Sequence, residues 1–183
     1  MSWFNTIAIL VVAYLVIFFQ ATFNEFRQVL GVQVDLLPSL VVFAALSSGV
    51  ITLTLVSVLG GLMLDSLSTN PGGVSMLPLF MVGLLIQRSR DFILRDQPYA
   101  QLMLGLTASA AVPLMTLLIL LNLDMRPLLG WFSLWQWAVM TAAGALMTPV
   151  WFTCFGWIAR SFNYVPVAEG GYRPDREIKR GRQ

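Results

Sequence analysis

The feature that most constrains this chain is a set of five long stretches that contain no Asp, Glu, Lys or Arg. They are residues 1–24, 36–64, 66–87, 97–123 and 127–159. A helix that crosses a bilayer needs about 20 apolar residues, because about 30 Å of hydrocarbon is covered at about 1.5 Å per residue. Only 11% of the chain is charged, whereas soluble domains contain about 25% charged residues. The sequence therefore predicts an all-α integral membrane protein.

The stretch 36–64 is too long for one perpendicular crossing, since a single helix of that length would extend about 43 Å. Ser47, Ser48 and Gly49 lie near its middle, where serine hydroxyls compete for backbone hydrogen bonds and glycine is free to turn. We therefore expect a reversal there and two short helices. The sequence therefore predicts a bundle of six transmembrane helices, at about residues 3–23, 36–47, 50–65, 75–88, 98–122 and 136–160.

The orientation follows from the positive-inside rule, by which Lys and Arg in short loops favour the cytoplasmic side. The residues expected to anchor the topology are Arg88, Arg90, Arg95 and Arg160. The segment 24–35 carries two acids and one arginine, which suits the outer side and requires residues 36–64 to cross twice. We expect both termini in the cytoplasm. Five crossings, with 36–64 as one tilted helix, is the alternative.

Two further segments complete the expected layout. Residues 126–135 include Trp131 and Trp135 and are expected to form a short interfacial segment, because indole rings favour the headgroup level. Residues 1–163 would form the transmembrane domain, and 164–183 a disordered basic cytoplasmic tail with no apolar face to bury. The net charge of +2 arises entirely after residue 167, so it predicts no nucleic-acid-binding surface.

The residue types argue against catalysis. The chain has no histidine and one cysteine, Cys154, so the commonest acid–base and metal-binding side chain is missing and an internal disulfide is impossible. Asp65 lies at the expected outer end of the third helix, where it is a functional candidate that backbone amides of the next loop can also satisfy. Asp35 is expected to be an N-cap. We predict no catalytic residue, cofactor or metal site.

Small residues four positions apart predict helix faces that pack closely, which matters in lipid because apolar burial alone does not drive helices together. The pairs are Ser57 and Gly61, Gly105 and Ser109, and Ala138 and Ala142. Packing inside one bundle and docking on another membrane protein are both open for each pair.

A turn signal, Thr-Asn-Pro-Gly-Gly, follows the third helix at residues 69–73. In a type II turn proline presets position i+1 and glycine takes the positive φ of position i+2, so we expect Pro71 and Gly72 at these positions. The residues expected to serve helix packing or partner binding are Ser57, Gly60, Gly61, Asp65, Pro71, Gly72 and Gly73.

A distinctive segment begins at residues 60–68 with Gly-Gly-Leu-Met-Leu-Asp-Ser-Leu-Ser. It continues with Pro-Gly-Gly-Val-Ser at 71–75 and an apolar helix that ends in Arg88 and Arg90. This segment resembles the rod shape-determining protein MreD family, in which a helix with small residues ends in an acid followed by Leu, Ser and a Pro/Gly turn. Specific residues match over about 57–90, and the length and six-span layout are also similar. MreD chains often carry basic residues at the turn that is Ser-Ser-Gly here.

The resemblance implies a non-enzymatic adaptor of the bacterial cell-elongation machinery, which determines rod shape through peptidoglycan synthesis at the inner membrane. It implies binding to the membrane-anchored scaffold MreC, in company with the actin-like MreB and the peptidoglycan polymerase and transpeptidase. It also implies the fold of the substrate-binding subunits of energy-coupling-factor vitamin importers, to which MreD is similar. The sequence allows a homodimer.

Two other classes of function stay open. An energy-coupling-factor substrate-binding subunit also has six helices, but such subunits typically show Ala-x-x-x-Ala on the first and third helices. Here that spacing is found at Ala138 and Ala142 on the last helix. A membrane enzyme would have to use Asp35, Asp65 or a serine alone, since no nucleophile stands beside a base.

Overall fold

The computed structural model describes residues 3–22, 31–32, 34–68, 71–90, 97–125 and 130–162. Within these ranges the chain is helical and contains no strand, which confirms the all-α prediction for this part of the protein. The helices are α1 (Trp3–Thr22), α2 (Leu37–Ser47), α3 (Val50–Leu67), α4 (Met76–Arg88), α5 (Pro98–Asn122) and α6 (Trp131–Phe162).

Helix α2 lies at the centre of the bundle. Every residue from Leu37 to Leu46 is buried, and α2 contacts each of the other helices. Its sequence is apolar around the whole circumference, as expected for a helix that is surrounded by others. Phe43 stacks on Phe155 of α6 with ring centroids 4.4 Å apart, and Trp151 Nε1 donates a hydrogen bond of 2.9 Å to Ser39 Oγ. These contacts fix α2 against α6.

The stretch 36–64 divides into α2 and α3 at Ser48 and Gly49, which both have extended backbone angles. Gly49 has a φ of −84°, which any residue can adopt, so the reversal does not use the conformational freedom of glycine. The Ser48 amide instead donates a hydrogen bond of 2.9 Å to the Ala44 carbonyl. Gln87, near the end of α4, donates a long bond of 3.4 Å to the Ser48 carbonyl. The reversal is therefore held by the end of α2 and by α4.

Helix lengths bear directly on a membrane location. Four helices, α1, α3, α5 and α6, are long and apolar enough to cross a membrane. Helices α2 and α4 have 11 and 13 residues. At about 1.5 Å per residue, neither covers about 30 Å of hydrocarbon as a straight helix. The four long apolar helices thus indicate a membrane protein. The other two helices, α2 and α4, are too short to cross as straight helices.

The last helix differs from the expected layout at its start. Gln136 was the expected first residue, after an interfacial segment, but α6 is continuous from Trp131. The Gly130 amide donates to Ser133 Oγ at 3.3 Å, which is one half of a capping box, and the Ser133 amide donates to the Gly130 carbonyl at 2.9 Å. This local capping starts the helix before the tryptophans. Residues 126–129 and the expected tail, 164–183, lie outside the described residues.

Candidate functional site

Contacts between helices show which helix ends lie together. The hydroxyls of Thr6 and Thr52 are 2.8 Å apart and join the starts of α1 and α3. The bond from Gln87 to the α2–α3 reversal adds the end of α4 to the same group. A cavity lined by the end of α2, the start of α5 and the end of α6 completes it. The remaining helix ends form the opposite group.

The described charged residues separate between these two ends. The end just defined carries the described arginines Arg88, Arg90 and Arg160, and we call it the basic end. The opposite end carries the described acids Asp35, Asp65 and Asp124, and we call it the acidic end. The expected anchor Arg95, like Asp91 and Asp96 beside it, lies outside the described residues. Charge in the described chain is therefore confined to the two ends of an apolar bundle.

Asp65 is the centre of the acidic end, with only 2% of the residue exposed. Its Oδ2 accepts a hydrogen bond of 2.7 Å from the Gly73 amide, and both carboxylate oxygens lie 3.2 Å from the Ser75 amide. Ser75 is the N-cap residue of α4, and its own side chain makes no capping bond. A carboxylate at this position also interacts favourably with the dipole of α4. Asp65 therefore joins the end of α3 to the start of α4, and we call this contact the Asp65 junction.

Gly61 lies beneath the Asp65 junction, one turn earlier on α3. A Cβ at Gly61 would lie 2.6 Å from Met76 Cα and 2.8 Å from Met76 N, so a side chain there would collide with the backbone of α4. A Cβ at Gly60 would lie 2.8 Å from Leu37 Cδ2, the end of a flexible side chain. Of these two glycines, Gly61 is therefore the one that faces backbone atoms, which cannot move aside cheaply.

The turn between α3 and α4 is displaced by one residue from the expected position. The Val74 amide donates to the Pro71 carbonyl at 3.4 Å, so Pro71 is the first residue of the turn rather than the second. Gly73, not Gly72, is the third residue and has the positive φ, +95°. Because the Gly73 amide also donates to Asp65, the hydrogen bond to the carboxylate and the left-handed backbone of Gly73 together determine the shape of the turn.

The expected packing residues of α3 share one buried face of that helix. They are Ser57, Gly60, Gly61 and Asp65. Ser57 is fully buried, and its hydroxyl has no hydrogen-bond partner among the described residues, so its contribution to the contact is its small size. In this structure the face packs inside the chain. Pro71 is partly exposed and Gly72 exposed, so these two lie at the surface of the acidic end.

The pair Gly105 and Ser109 forms the contact between α5 and α6. A Cβ at Gly105 would collide with Thr148 Oγ1, and a Cβ at Gly144 would collide with Ser109 Oγ. Each helix thus places a glycine against a hydroxyl residue of the other, in antiparallel order. Only the α5 half is predicted from the sequence, although Gly144 and Thr148 have the same spacing. The two alanines of the third pair are exposed.

Asp35 was expected to be the N-cap residue of α2, but it lies one position before the N-cap residue and still accepts a capping hydrogen bond. Leu36 is the N-cap residue, and Asp35 Oδ1 accepts a hydrogen bond of 2.9 Å from the Leu37 amide. Burial raises the pKa of the Asp35 carboxyl to about 6, and the hydrogen bond from Leu37 opposes that rise. Pro38 lies in the first turn and has no amide to be satisfied. Asp35 therefore satisfies a backbone amide at the start of the central helix.

The comparisons with known proteins do not identify a relative: no family model, no curated protein and no solved structure matches this chain. In the part of the chain that the structure describes, no group of three or more His, Cys, Asp or Glu residues could hold a metal ion. Asp35 and Asp65 each accept bonds from the backbone. This arrangement holds helices together and separates charge between two ends.

Proposed function

We propose that this protein is a non-enzymatic adaptor of the bacterial cell-elongation machinery and binds an MreC-like scaffold in the inner membrane. The supporting observation is the Asp65 junction. The small residues, the acid and the Pro/Gly turn that carry the resemblance to MreD form one contact between α3 and α4. A bundle whose polar groups are used for its own rigidity suits a protein that presents a fixed surface to partners.

The proposed orientation places the basic end in the cytoplasm and the acidic end outside. The separation of described charges supports it, because each sign is confined to one end. The chain passes through the bundle six times in this proposal, with both termini cytoplasmic. The short α2 can take part because the other helices surround it and its residues from Leu37 to Leu46 are buried in protein rather than exposed to lipid.

Helix α1 offers the docking surface in this proposal. Of the four helices that are long enough to cross, α1 has the smallest buried share, 17% over Asn5–Thr22. Its main contacts are with α2 and α3. Tyr14 and Phe18 are exposed on α1 and stack with ring centroids 6.4 Å apart. In a bilayer, an exposed aromatic face of this kind can pack against the single membrane helix of a bitopic scaffold.

Mass spectrometry of the proteins and small molecules that co-purify in mild detergent tests the proposal. We expect a bitopic coiled-coil protein together with cell-wall enzymes such as a peptidoglycan polymerase and transpeptidase. Recovery of a nucleotide-binding ATPase module or a bound vitamin would instead identify an importer subunit and overturn the proposal.

A pair of double variants tests the docking surface. The double variant Tyr14→Ala with Phe18→Ala removes the aromatic pair of α1. We expect this protein to fold but no longer to co-purify with the scaffold. Leu114→Ala with Leu118→Ala removes exposed side chains at the same spacing from α5, and we expect it to retain the scaffold. Equal recovery with both double variants would show that α1 is not the docking surface.

A further inference from the structure

An open cavity of about 460 Å³ lies at the basic end, away from the Asp65 junction. Its volume falls within the range of ligand-binding cavities, about 300–1,000 Å³. Its polar lining groups are Ser47 at the end of α2, Gln101 in the first turns of α5, and Thr153 and Arg160 on α6. Three helices that are far apart in sequence thus converge on one polar depression.

Arg160 gives this cavity its positive charge. Among the described residues Arg160 forms no ion pair, and the described carboxylates lie at the opposite end of the bundle. A guanidinium presents a planar fork of N–H donors that matches the oxygens of a phosphate group. Helix α5 begins at the cavity with Pro98 on its wall, and within the described residues its N-cap residue, Gln97, makes no side-chain capping bond. The positive end of the helix dipole therefore adds to the attraction.

The cavity also has an apolar wall, formed by Pro149 and Phe152 of α6. A phospholipid has the same two-part character, with a phosphate headgroup beside glycerol and acyl chains. Helices α5 and α6 are both long enough to cross a membrane, and a basic depression at their ends lies where headgroups are found. We propose that this cavity binds a phosphate group, that of an anionic phospholipid headgroup or of free phosphate. The site requires the membrane location and is independent of the adaptor function.

Lipid titration of the full-length protein tests the proposal. The protein is stripped of lipid in a neutral detergent, and native mass spectrometry then measures the binding of phosphatidylglycerol. We expect Arg160→Gln to weaken binding about tenfold, the effect of one lost charge-assisted contact. The matched control, Arg88→Gln, removes an exposed arginine from the same end but outside the cavity, and we expect a change within about twofold.

A second variant, Thr153→Trp, fills the cavity without changing charge. Thr153 is exposed, and its hydroxyl donates only to the α6 carbonyls of Pro149 and Val150, so we expect the variant to fold. Circular dichroism and gel filtration check that expectation. We expect phosphatidylglycerol binding to fall as it does in Arg160→Gln. Unchanged affinity in both variants, or an equal loss in Arg88→Gln, would overturn the proposal and leave only general attraction to a basic surface.

Inorganic phosphate and phosphatidylcholine distinguish the two sources of the phosphate group. Displacement of phosphatidylglycerol by sodium phosphate, abolished by Arg160→Gln, identifies a site that takes the free anion. Retention of phosphatidylglycerol in phosphate buffer, with weaker binding of phosphatidylcholine, identifies the anionic lipid as the ligand. Equal binding of the two lipids to the unaltered protein, without displacement by phosphate, would contradict an anion site.

Discussion

Asp65 at the acidic end and Arg160 at the basic end use their charges in opposite ways. At the acidic end, Asp65 is buried and accepts hydrogen bonds from the backbone amides of Gly73 and Ser75. At the basic end, Arg160 is exposed and forms no ion pair within the described chain. A charge that is committed to the backbone stabilises the fold, whereas an uncommitted charge is available to a ligand or a membrane. The conspicuous acid is thus structural, and the less conspicuous arginine faces the surroundings.

The variant expected to disrupt the acidic end most is Gly61→Arg. Its side chain would collide with the Met76 backbone and bury a charge, and we expect a loss of more than about 4 kcal/mol in the free energy of unfolding. Gly72→Arg is the matched control, because a Cβ at Gly72 meets nothing within 4 Å. Thermal unfolding in detergent measures both. A folded, membrane-inserted Gly61→Arg protein that still binds its partners would show that this face is not buried.

The next largest effect is expected from Asp65→Ala, which leaves the amides of Gly73 and Ser75 without their acceptor. We expect a loss of about 3 kcal/mol in the free energy of unfolding. Asp124→Asn is the control at the same end: Asp124 is exposed, and its φ of +55° is one that asparagine tolerates. Its effect should stay within about 0.5 kcal/mol. Similar losses in the two variants would show that Asp65 contributes no more to stability than an exposed acid at the same end.

A smaller, pH-dependent effect is expected from Asp35. Its pKa rises from 3.8 in the unfolded chain to about 6 in the folded protein, so the folded state binds the proton more tightly. Stability should therefore be highest below about pH 4, fall as the pH rises towards 6 and level off above it. Asp35→Asn should remove this part of the pH dependence, and Asp124→Asn should retain it. Unfolding midpoints measured between pH 4 and 7 that fall equally in both variants would contradict the assignment to Asp35.

The smallest effects on stability are expected at the basic end. Arg88→Gln and Arg160→Gln alter exposed side chains, so each should change the free energy of unfolding by less than about 0.5 kcal/mol. The same thermal assay that detects the loss in Asp65→Ala measures these variants. A large destabilisation by Arg160→Gln would mean that this arginine supports the fold, and the contrast between the two ends would disappear.

Local patterns predict some of these features and miss others for identifiable reasons. Long apolar stretches indicate helices because burial in lipid requires satisfied backbone groups. The turn is displaced from its expected position because the Asp65 carboxylate, eight residues before Gly73, bonds the Gly73 amide and so determines which glycine has the positive φ. The sequence pattern does not predict that α6 begins at Trp131, because the cap that starts it there is a single hydrogen bond from the Gly130 amide to Ser133.

The cavity at the basic end could not be predicted from any local pattern. Its walls come from Ser47, Gln101 and Arg160, which stand on three helices and are brought together only by the packing of the bundle. Arg160 is predictable as a charge at a helix end but not as part of a cavity. The Asp65 junction, by contrast, lies within one short segment, where an acid, small residues and a Pro/Gly turn follow one another.

We expect the two ends to face opposite sides of a membrane, with the basic end in the cytoplasm, and cysteine labelling tests this orientation. Gly72→Cys and Ser89→Cys place single thiols at exposed positions of the acidic and basic ends, in a Cys154→Ala background. Only the 13-residue helix α4 separates them. An impermeant thiol reagent applied to intact spheroplasts should label position 72 and label position 89 only after permeabilisation. Labelling of both positions from outside, or of position 89 alone, would contradict this orientation.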